Sequence, residues 1–359
     1  MMTGTQRIRE MLEKKKVEQV GACGWMHTPE ADRKSKEVFA ARIIELTDHS
    51  RWDFVKIMEN GVYNQEAHGS DIEYLSENIP PEKLRTKQIM KFNGYLLNGP
   101  EDFERFPVLD VEKNPVYQRE ANVVRELSDH YKKTVPIIPT IFLPAHCIPE
   151  FCGGIEKARY YFDHYPDAVE TMLKALVQTE IQLVDAYVRA GADGFFFANR
   201  YSNRDILSED EFERFCRPFD TMIMDHIKDR TWFNIMHVHG EKHFFMDKFD
   251  QYPVQAISWE NVPHQVPEEQ RMTVAEARKV TDKILITGTD QFLDFYGTKE
   301  EVLERFKKRI ARAAEESEDN RLIFAPGCSL PLDIDFENVH QLREAADWWN
   351  GGGRTKTSS

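Results

Sequence analysis

The chain has 359 residues, of which 41% are hydrophobic and 30% charged, and its formal net charge is −14 at pH 7. This length and composition are typical of a globular protein with a large core. The acidic excess argues against nucleic-acid binding, which needs clustered Lys and Arg. No run reaches the roughly 18 apolar residues of a membrane helix. We therefore expect a protein that binds neither nucleic acid nor membranes.

The N-terminal sequence and the cysteine content indicate a cytoplasmic protein. Residues 1–20 form a charged amphipathic stretch without the apolar centre of a secretory signal. The chain has 5 cysteines, an odd number that does not suit a disulfide framework. Both features predict a reducing compartment.

Short apolar segments alternate with longer helical patterns, as in repeated βα units. Eight segments have the composition of buried strands: 17–24, 53–59, 135–143, 193–199, 232–239, 254–260, 283–289 and 321–327. Helical patterns cover 167–189, 209–228, 273–281, 299–316 and 338–349. No early strand precedes a Gly-rich dinucleotide fingerprint, so a closed α/β barrel, (β/α)8, fits better than an open doubly wound sheet.

We predict a single (β/α)8 domain over residues 1–350 and a disordered tail over 351–359. The gap between the second and third strands is far longer than one crossover helix needs. We interpret residues 61–134 as a helical insertion near the active-site rim. It has two alternative roles, a lid or substrate wall over the rim and a helical decoration that only packs.

Two histidines share one face of the fifth predicted strand. Side chains alternate along a strand, so His237 and His239 both face the barrel interior. Cys328 follows the eighth strand. In a parallel barrel the carboxyl ends of all strands lie at one rim, and barrel enzymes have their active sites at that rim. Two imidazoles and a thiolate suit Zn²⁺ and leave the open position of a catalytic site. We predict that these three residues bind zinc.

Other polar residues at strand ends are candidates for the same site. Glu260 ends the sixth strand and is predicted to act in catalysis, as a fourth ligand or a proton carrier. A rival metal cluster is His146 with Cys147 and Cys152, in a segment predicted as a loop. A single histidine or cysteine is more often a core residue, and the coincidence of three at strand ends favours the zinc site. Four residues are predicted to bind substrate: Glu59, Asn60, His146 and Asn199.

Segments spread along the chain resemble the uroporphyrinogen decarboxylase superfamily. The likeness covers nearly the whole chain and is densest from residue 190 onward. The matching segments are 190–194 (AGADG), 207–218 (LSEDEFERFCRP), 286–290 (ITGTD), 297–302 (GTKEEV), 326–331 (PGCSLP) and 337–338 (EN).

The resemblance separates two branches of this superfamily. The porphyrin decarboxylases use an arginine-rich loop, an aspartate, a tyrosine and a late histidine. The corresponding positions here are residues 24–28 (GWMHT), Asn60, the vicinity of Pro149, and Cys328. None of these groups is retained, so the resemblance does not imply a tetrapyrrole decarboxylase.

The corrinoid-dependent methyltransferases are the better match. They bind zinc through His-x-Cys and a distant Cys; His237 and Cys328 match, and His239 replaces the middle cysteine. The resemblance implies a zinc-dependent methyltransferase that moves a methyl group between a small molecule and a corrinoid cofactor (cobalamin) or corrinoid protein. An imidazole in place of a thiolate makes the metal a stronger Lewis acid, which favours a non-thiol methyl acceptor or donor, or a different reaction.

Two other functions stay open at this point. A metal-assisted decarboxylase or lyase acting on a small carboxylate would use Arg200 and Arg204 as cationic anchors. A non-catalytic protein would bind a corrinoid without turnover. The candidate partners are a small-molecule methyl donor or acceptor, a corrinoid protein and a second copy of the chain in a homodimer.

Overall fold

The computed structural model describes residues 2–75, 79–87 and 89–353. The predicted tail beyond residue 353 lies outside this range. The strands are β1 (Gly21–Ala22), β2 (Val55–Lys56), β3 (Ile72–Tyr74), β4 (Met90–Phe92), β5 (Ile137–Ile138), β6 (Thr140–Phe142), β7 (Phe196–Asn199), β8 (Ile235–Val238), β9 (Ala256–Trp259), β10 (Ile284–Thr289) and β11 (Leu322–Pro326).

The parallel strands close into a barrel. One sheet has the order β1-β11-β10-β9-β8-β7-β6, and β2 pairs with β5. Pro139 separates β5 from β6 in one predicted strand, because proline has no N–H to donate to a ladder. At the seam, the Asp53 amide donates to the Ala22 carbonyl over 3.0 Å. Each predicted strand contains an observed one, and the predicted (β/α)8 fold is confirmed.

A buried ion cluster holds the seam between β1 and β2. Asp53 accepts hydrogen bonds from Arg7 Nε at 3.0 Å and from Arg343 Nη1 at 3.1 Å. Its Oδ2 also accepts from the Ala22 amide at 2.8 Å. The carboxylate thus ties the N-terminal helix, the last helix and the first strand to the start of β2.

Helices surround the barrel, and none of the described ones is long and apolar enough to cross a membrane. Their bounds are α1 (Gly4–Glu13), α2 (Lys36–Ser50), α3 (Tyr63–Ala67), α4 (Pro81–Thr86), α5 (Pro100–Glu104), α6 (Pro115–Tyr131), α7 (Pro144–Cys152), α8 (Ile155–His164), α9 (Pro166–Ala190), α10 (Glu209–Phe215), α11 (Arg217–Ile227), α12 (Met246–Phe249), α13 (Val274–Arg278), α14 (Lys299–Ser317) and α15 (Phe336–Asn350), with a 3₁₀ turn at Glu268–Gln270.

Two predicted segments differ from the structure. The segment predicted as a loop after the third strand is helix α7, because Pro144 occupies the first helical turn, where a missing N–H costs nothing. The single helix predicted over 209–228 is broken at Cys216 into α10 and α11. Pro218 has no N–H to donate to the preceding turn, so α10 ends before this residue.

The segment over residues 61–134 combines helices with a hairpin. Helix α6 packs against α2 and α9, the position of an ordinary barrel helix. Helices α3 to α5 and the antiparallel pair β3-β4 precede it. Near α4, Lys87 Nζ donates to the carbonyl and hydroxyl oxygens of Ser329, each at 2.9 Å. This part of the segment therefore lies against the loop that follows β11.

Candidate active site

The carboxyl ends of the strands surround a cavity of about 220 Å³. Its walls combine aromatic rings with imidazoles, one thiol and two cationic side chains. The lining residues are Trp25, His27, Lys56, Met58, Glu59, Gly61, Thr140, Phe142, His146, Phe196, Ala198, Arg200, His237, His239, Cys328 and Ser329.

The three predicted zinc ligands all line this cavity. His237 lies in β8, His239 directly follows it, and Cys328 lies in the loop after β11. The Cys328 thiol lies close enough to both imidazoles for them to lower its pKa. The two imidazole centroids are 6.0 Å apart and the rings are perpendicular, at 89°. The structure thus brings Cys328 to two histidines that are distant from it in sequence.

A glycine lets the loop of Cys328 pass close to β9. A Cβ atom at Gly327 would lie 2.8 Å from Glu260 Cα, closer than non-bonded carbons approach. Any larger residue would therefore push the loop, and Cys328 with it, away from the histidines.

The donor set suits zinc, although the present spacing of the three side chains is not that of metal ligands. Within residues 2–75, 79–87 and 89–353, no three His, Cys, Asp or Glu side chains are spaced as ligands around one metal ion. A bound Zn²⁺ would draw the three side chains to metal–ligand distances. The fit rests on the chemistry of the donors and on their convergence.

The electrostatics of the cluster favour a thiolate. Burial alone would raise the pKa of Cys328, but the hydrogen bonds and charges of His237 and His239 hold that pKa well below its usual range. Burial lowers the pKa of His237. Burial alone would lower the pKa of His239. The interactions with Cys328, including its negative charge, outweigh burial and raise that pKa. The thiolate is the form of cysteine that binds metals, so Cys328 is prepared to act as a ligand.

Ser258 orients one imidazole and was missed in the sequence. Its Oγ lies 3.3 Å from His237 Nδ1, and the parallel register places Ser258 beside His237. Ser258 is fully buried. A hydrogen bond of this kind fixes the ring of a metal-binding histidine. The register between β8 and β9 was the signal that could have identified it.

Glu260, predicted to act in catalysis, lies beside the cluster. Its Oε2 accepts a hydrogen bond from Gln291 Nε2 at 2.8 Å. Burial, together with the negative charge of Cys328, raises the pKa of Glu260 to about 8. A carboxyl with this pKa can hold or release a proton near neutral pH. Its catalytic role stays a prediction.

Two of the four predicted substrate-binding residues line the cavity. Glu59 accepts from the Thr140 amide at 3.1 Å, and burial raises its pKa to about 8. His146 Nδ1 accepts from the Arg200 amide at 3.1 Å. Burial and the charge of Arg200 lower the pKa of His146 well below its ordinary value, so this imidazole is neutral.

The other two predicted residues, Asn60 and Asn199, do not line the cavity. Asn60 donates to Glu66 Oε2 at 2.7 Å and accepts from the Val62 amide, so its amide group shapes a turn. Asn199 is fully buried and donates to Asp220 Oδ2 at 3.2 Å. Their roles toward substrate stay predictions.

Because of the buried carboxyl of Asp220, the partner of Asn199, we expect the stability of the folded protein to depend on pH. Burial raises its pKa to about 8 from an ordinary value of 3.8, despite a hydrogen bond from Tyr252. The folded protein therefore keeps this proton while the unfolded chain releases it, so stability falls as pH rises between those values, by at most about 1.4 kcal/mol per pH unit. The amide in Asp220→Asn does not titrate, so this variant should not lose stability as the pH rises.

Urea unfolding of the parent and Asp220→Asn at about pH 5 and about pH 7.5 measures this effect. The stability of the variant relative to the parent is expected to rise with pH. Asp225→Asn, on the surface beside Lys228, is the matched control and should show no such trend. An equal difference between Asp220→Asn and the parent at both pH values would contradict the assignment.

The structure does not assemble the rival metal cluster. Cys147 and Cys152 lie in the core outside the cavity, where burial raises the pKa of each thiol. Cys147 Sγ instead accepts from Asn64 Nδ2 at 3.3 Å. Of this cluster, His146 alone lines the cavity.

The anchors predicted for a lyase are already paired. Arg200 lines the cavity, but its Nη2 lies 2.6 Å from Glu150 Oε1. Arg204 pairs with Glu209 and Asp247 and does not line the cavity.

Lys56 is a cavity residue that the sequence analysis missed. It lies in β2 with only 8% of its surface exposed. Burial lowers its pKa to about 8, while the charge of Glu59 opposes this shift. The signal was a lysine in the middle of the apolar run over residues 54–58.

Comparisons with known proteins agree with this architecture. The family model described as uroporphyrinogen decarboxylase (URO-D) matches residues 67–349. The methylcobamide:CoM methyltransferase MtbA of Methanosarcina acetivorans is 21% identical over 225 residues, which are 62% of this chain and 61% of that protein. The alignment thus spans less than two thirds of that relative.

Solved structures share the fold. A methyltransferase from Methanosarcina mazei has a TM-score of 0.77 at 18% identity, covering 97% of this chain and 99% of that one. A B12-independent methionine synthase from Shewanella sp. W3-18-1 has a TM-score of 0.52 at 14% identity, covering 95% and 98%. The resemblance inferred from the sequence motifs is confirmed: the chain belongs to the uroporphyrinogen decarboxylase (URO-D) family.

Proposed function

We propose that this protein is an enzyme of the methyltransferase branch, which moves a methyl group between a small molecule and a corrinoid cofactor or corrinoid protein. One observation carries the proposal: His237, His239 and Cys328 meet in a cavity at the carboxyl end of the barrel. The names of the similar methyltransferases support the reaction class.

In this proposal the three side chains hold a zinc ion. Zinc bound there would act as a Lewis acid that keeps a donor atom of the small molecule in its anionic, nucleophilic form. Cys328 supplies the negative charge among the ligands. Glu260 lies close enough for that charge to raise its pKa. It is the group that takes up or returns the proton of the small molecule.

The walls of the cavity keep the reacting groups away from bulk water. Trp25, Phe142 and Phe196 contribute apolar faces next to the histidines, and the Phe196 ring centroid is 5.1 Å from that of His237. Lys87 ties the segment near α4 to Ser329, directly after Cys328. We propose that this contact holds the loop of Cys328 in place.

A spectroscopic assay tests the proposed function. Purified protein with methylcobalamin is given thiol, folate or non-thiol acceptors, before and after zinc loading. We expect a change in the corrinoid spectrum with at least one acceptor, and only in the zinc-loaded protein. If no acceptor gives a zinc-dependent change, the proposed reaction is wrong.

The contact between Ser258 and His237 gives a further prediction. Ser258→Ala removes the partner of Nδ1 but leaves all three ligands, so zinc affinity should fall by about 10–100-fold. Competition with a chelator measures this affinity. Ser317→Ala is the control, because Ser317 is equally buried but bonds to Ala314 in α14. Equal affinities in the two variants would exclude the role of Ser258.

A further inference from the structure

Lys56 places a buried positive charge in the cavity wall. Its Nζ lies 4.3 Å from the ring centroid of Phe196 and 5.9 Å from that of Trp25. It also contacts the sulfur of Met58. All three neighbours line the same cavity, so the ammonium group is at the surface that a small molecule would meet.

Lys56 contacts aromatic faces and a sulfur rather than a carboxylate, although the charges of Glu59 and Cys328 act on it from further away. In the described part of the chain no carboxylate forms an ion pair with its Nζ, whose contacts are a sulfur and two aromatic faces. Glu59 lines the cavity too, but both its oxygens accept from the Thr140 amide. The other cation, Arg200, is paired with Glu150. A buried charge is costly without a partner, and aromatic faces compensate only part of that cost.

We infer that Lys56 binds an oxyanion group, such as a carboxylate, on the small molecule that exchanges the methyl group. The inference rests on the proposed function, because it places that molecule in the same cavity as His237 and Cys328. The charge balance supports it. A divalent metal ion with one thiolate and two neutral imidazoles keeps a positive charge, and Lys56 adds a second. The aromatic walls suit a compact apolar body attached to the anionic group.

Calorimetric titration with matched probes tests this inference. Benzoate, benzenesulfonate and phenylphosphonate carry different oxyanions on one ring, and benzamide is the neutral counterpart. Each probe is titrated into full-length protein with zinc removed and with zinc loaded. We expect at least one oxyanion to bind ten times more tightly than benzamide, or about 1.4 kcal/mol, in both forms.

Variants assign this preference to Lys56. Lys56→Met should remove it in both the zinc-free and zinc-loaded protein, while Lys56→Arg should retain it. Met58→Leu changes the adjacent wall without changing charge and should also retain it. Lys56→Met removes a buried charge, so we expect it to fold, which thermal unfolding verifies.

Three outcomes would overturn the inference: equal binding of all oxyanions and benzamide, an unchanged preference in Lys56→Met, or a preference that appears only with zinc. If Lys56→Met does not fold, Lys56→Gln takes its place as the variant without the charge, with the same expected loss of preference. Because no corrinoid is present, a failure of methyl transfer would leave this result intact.

Discussion

Replacing Cys328 by alanine is expected to remove the bound zinc and to slow methyl transfer by about a thousandfold or more. A Lewis-acid metal supplies several kcal/mol of transition-state stabilisation, and about 4 kcal/mol corresponds to a thousandfold in rate. Cys328 is the anionic member of the cluster, with a pKa lowered by both imidazoles, so the two histidines alone would leave a weak site. Elemental analysis and the corrinoid assay measure the two effects.

Cys152→Ala is the matched control for this variant. It removes a buried thiol that contacts the carbonyls of Pro149 and Gly154, away from the cavity. The control should keep its zinc and its rate. If Cys328→Ala also retained both, the proposed metal centre would be wrong.

Asp53→Ala is expected to destabilise the fold by about 3–5 kcal/mol, because it leaves two buried arginines without their shared partner. Arg7 and Arg343 are 7% and 2% exposed, and both bond to this carboxylate at the seam of the barrel. The Ala22 amide loses its acceptor as well. Urea unfolding measures the free-energy change.

The surface pair Asp225 with Lys228 provides the comparison for Asp53→Ala. Asp225→Ala breaks an exposed ion pair and should change stability by less than about 1 kcal/mol. A loss at Asp53 no larger than this would show that the buried ion cluster does not hold the seam.

The alternation of apolar and helical segments was sufficient to predict the barrel. Buried parallel strands read as short apolar runs, and the parallel arrangement brings their carboxyl ends to one rim. For this reason His237, His239 and Cys328 were expected to meet, although residue 328 is distant from the others. The hairpin β3-β4 was not predicted, because its two strands are short and only partly buried.

Side-chain partners were harder to predict than strand ends. Asn199 ends β7 and Asn60 lies after β2, but both amides are used within turns and core contacts. Lys56 was missed because period-2 alternation alone does not fix which face of a short strand is the barrel interior. Ser258 depended on the register between β8 and β9, which the sequence of one strand does not contain.

X-ray absorption at the zinc edge tests the central claim most directly. For zinc-loaded protein we expect one sulfur at about 2.3 Å and two imidazole nitrogens at about 2.0–2.1 Å. Any zinc that Cys328→Ala still takes up should lack this sulfur, which should persist in Cys152→Ala. A zinc environment of nitrogen and oxygen only, or a sulfur that survives in Cys328→Ala, would contradict the assignment of His237, His239 and Cys328 as one metal centre.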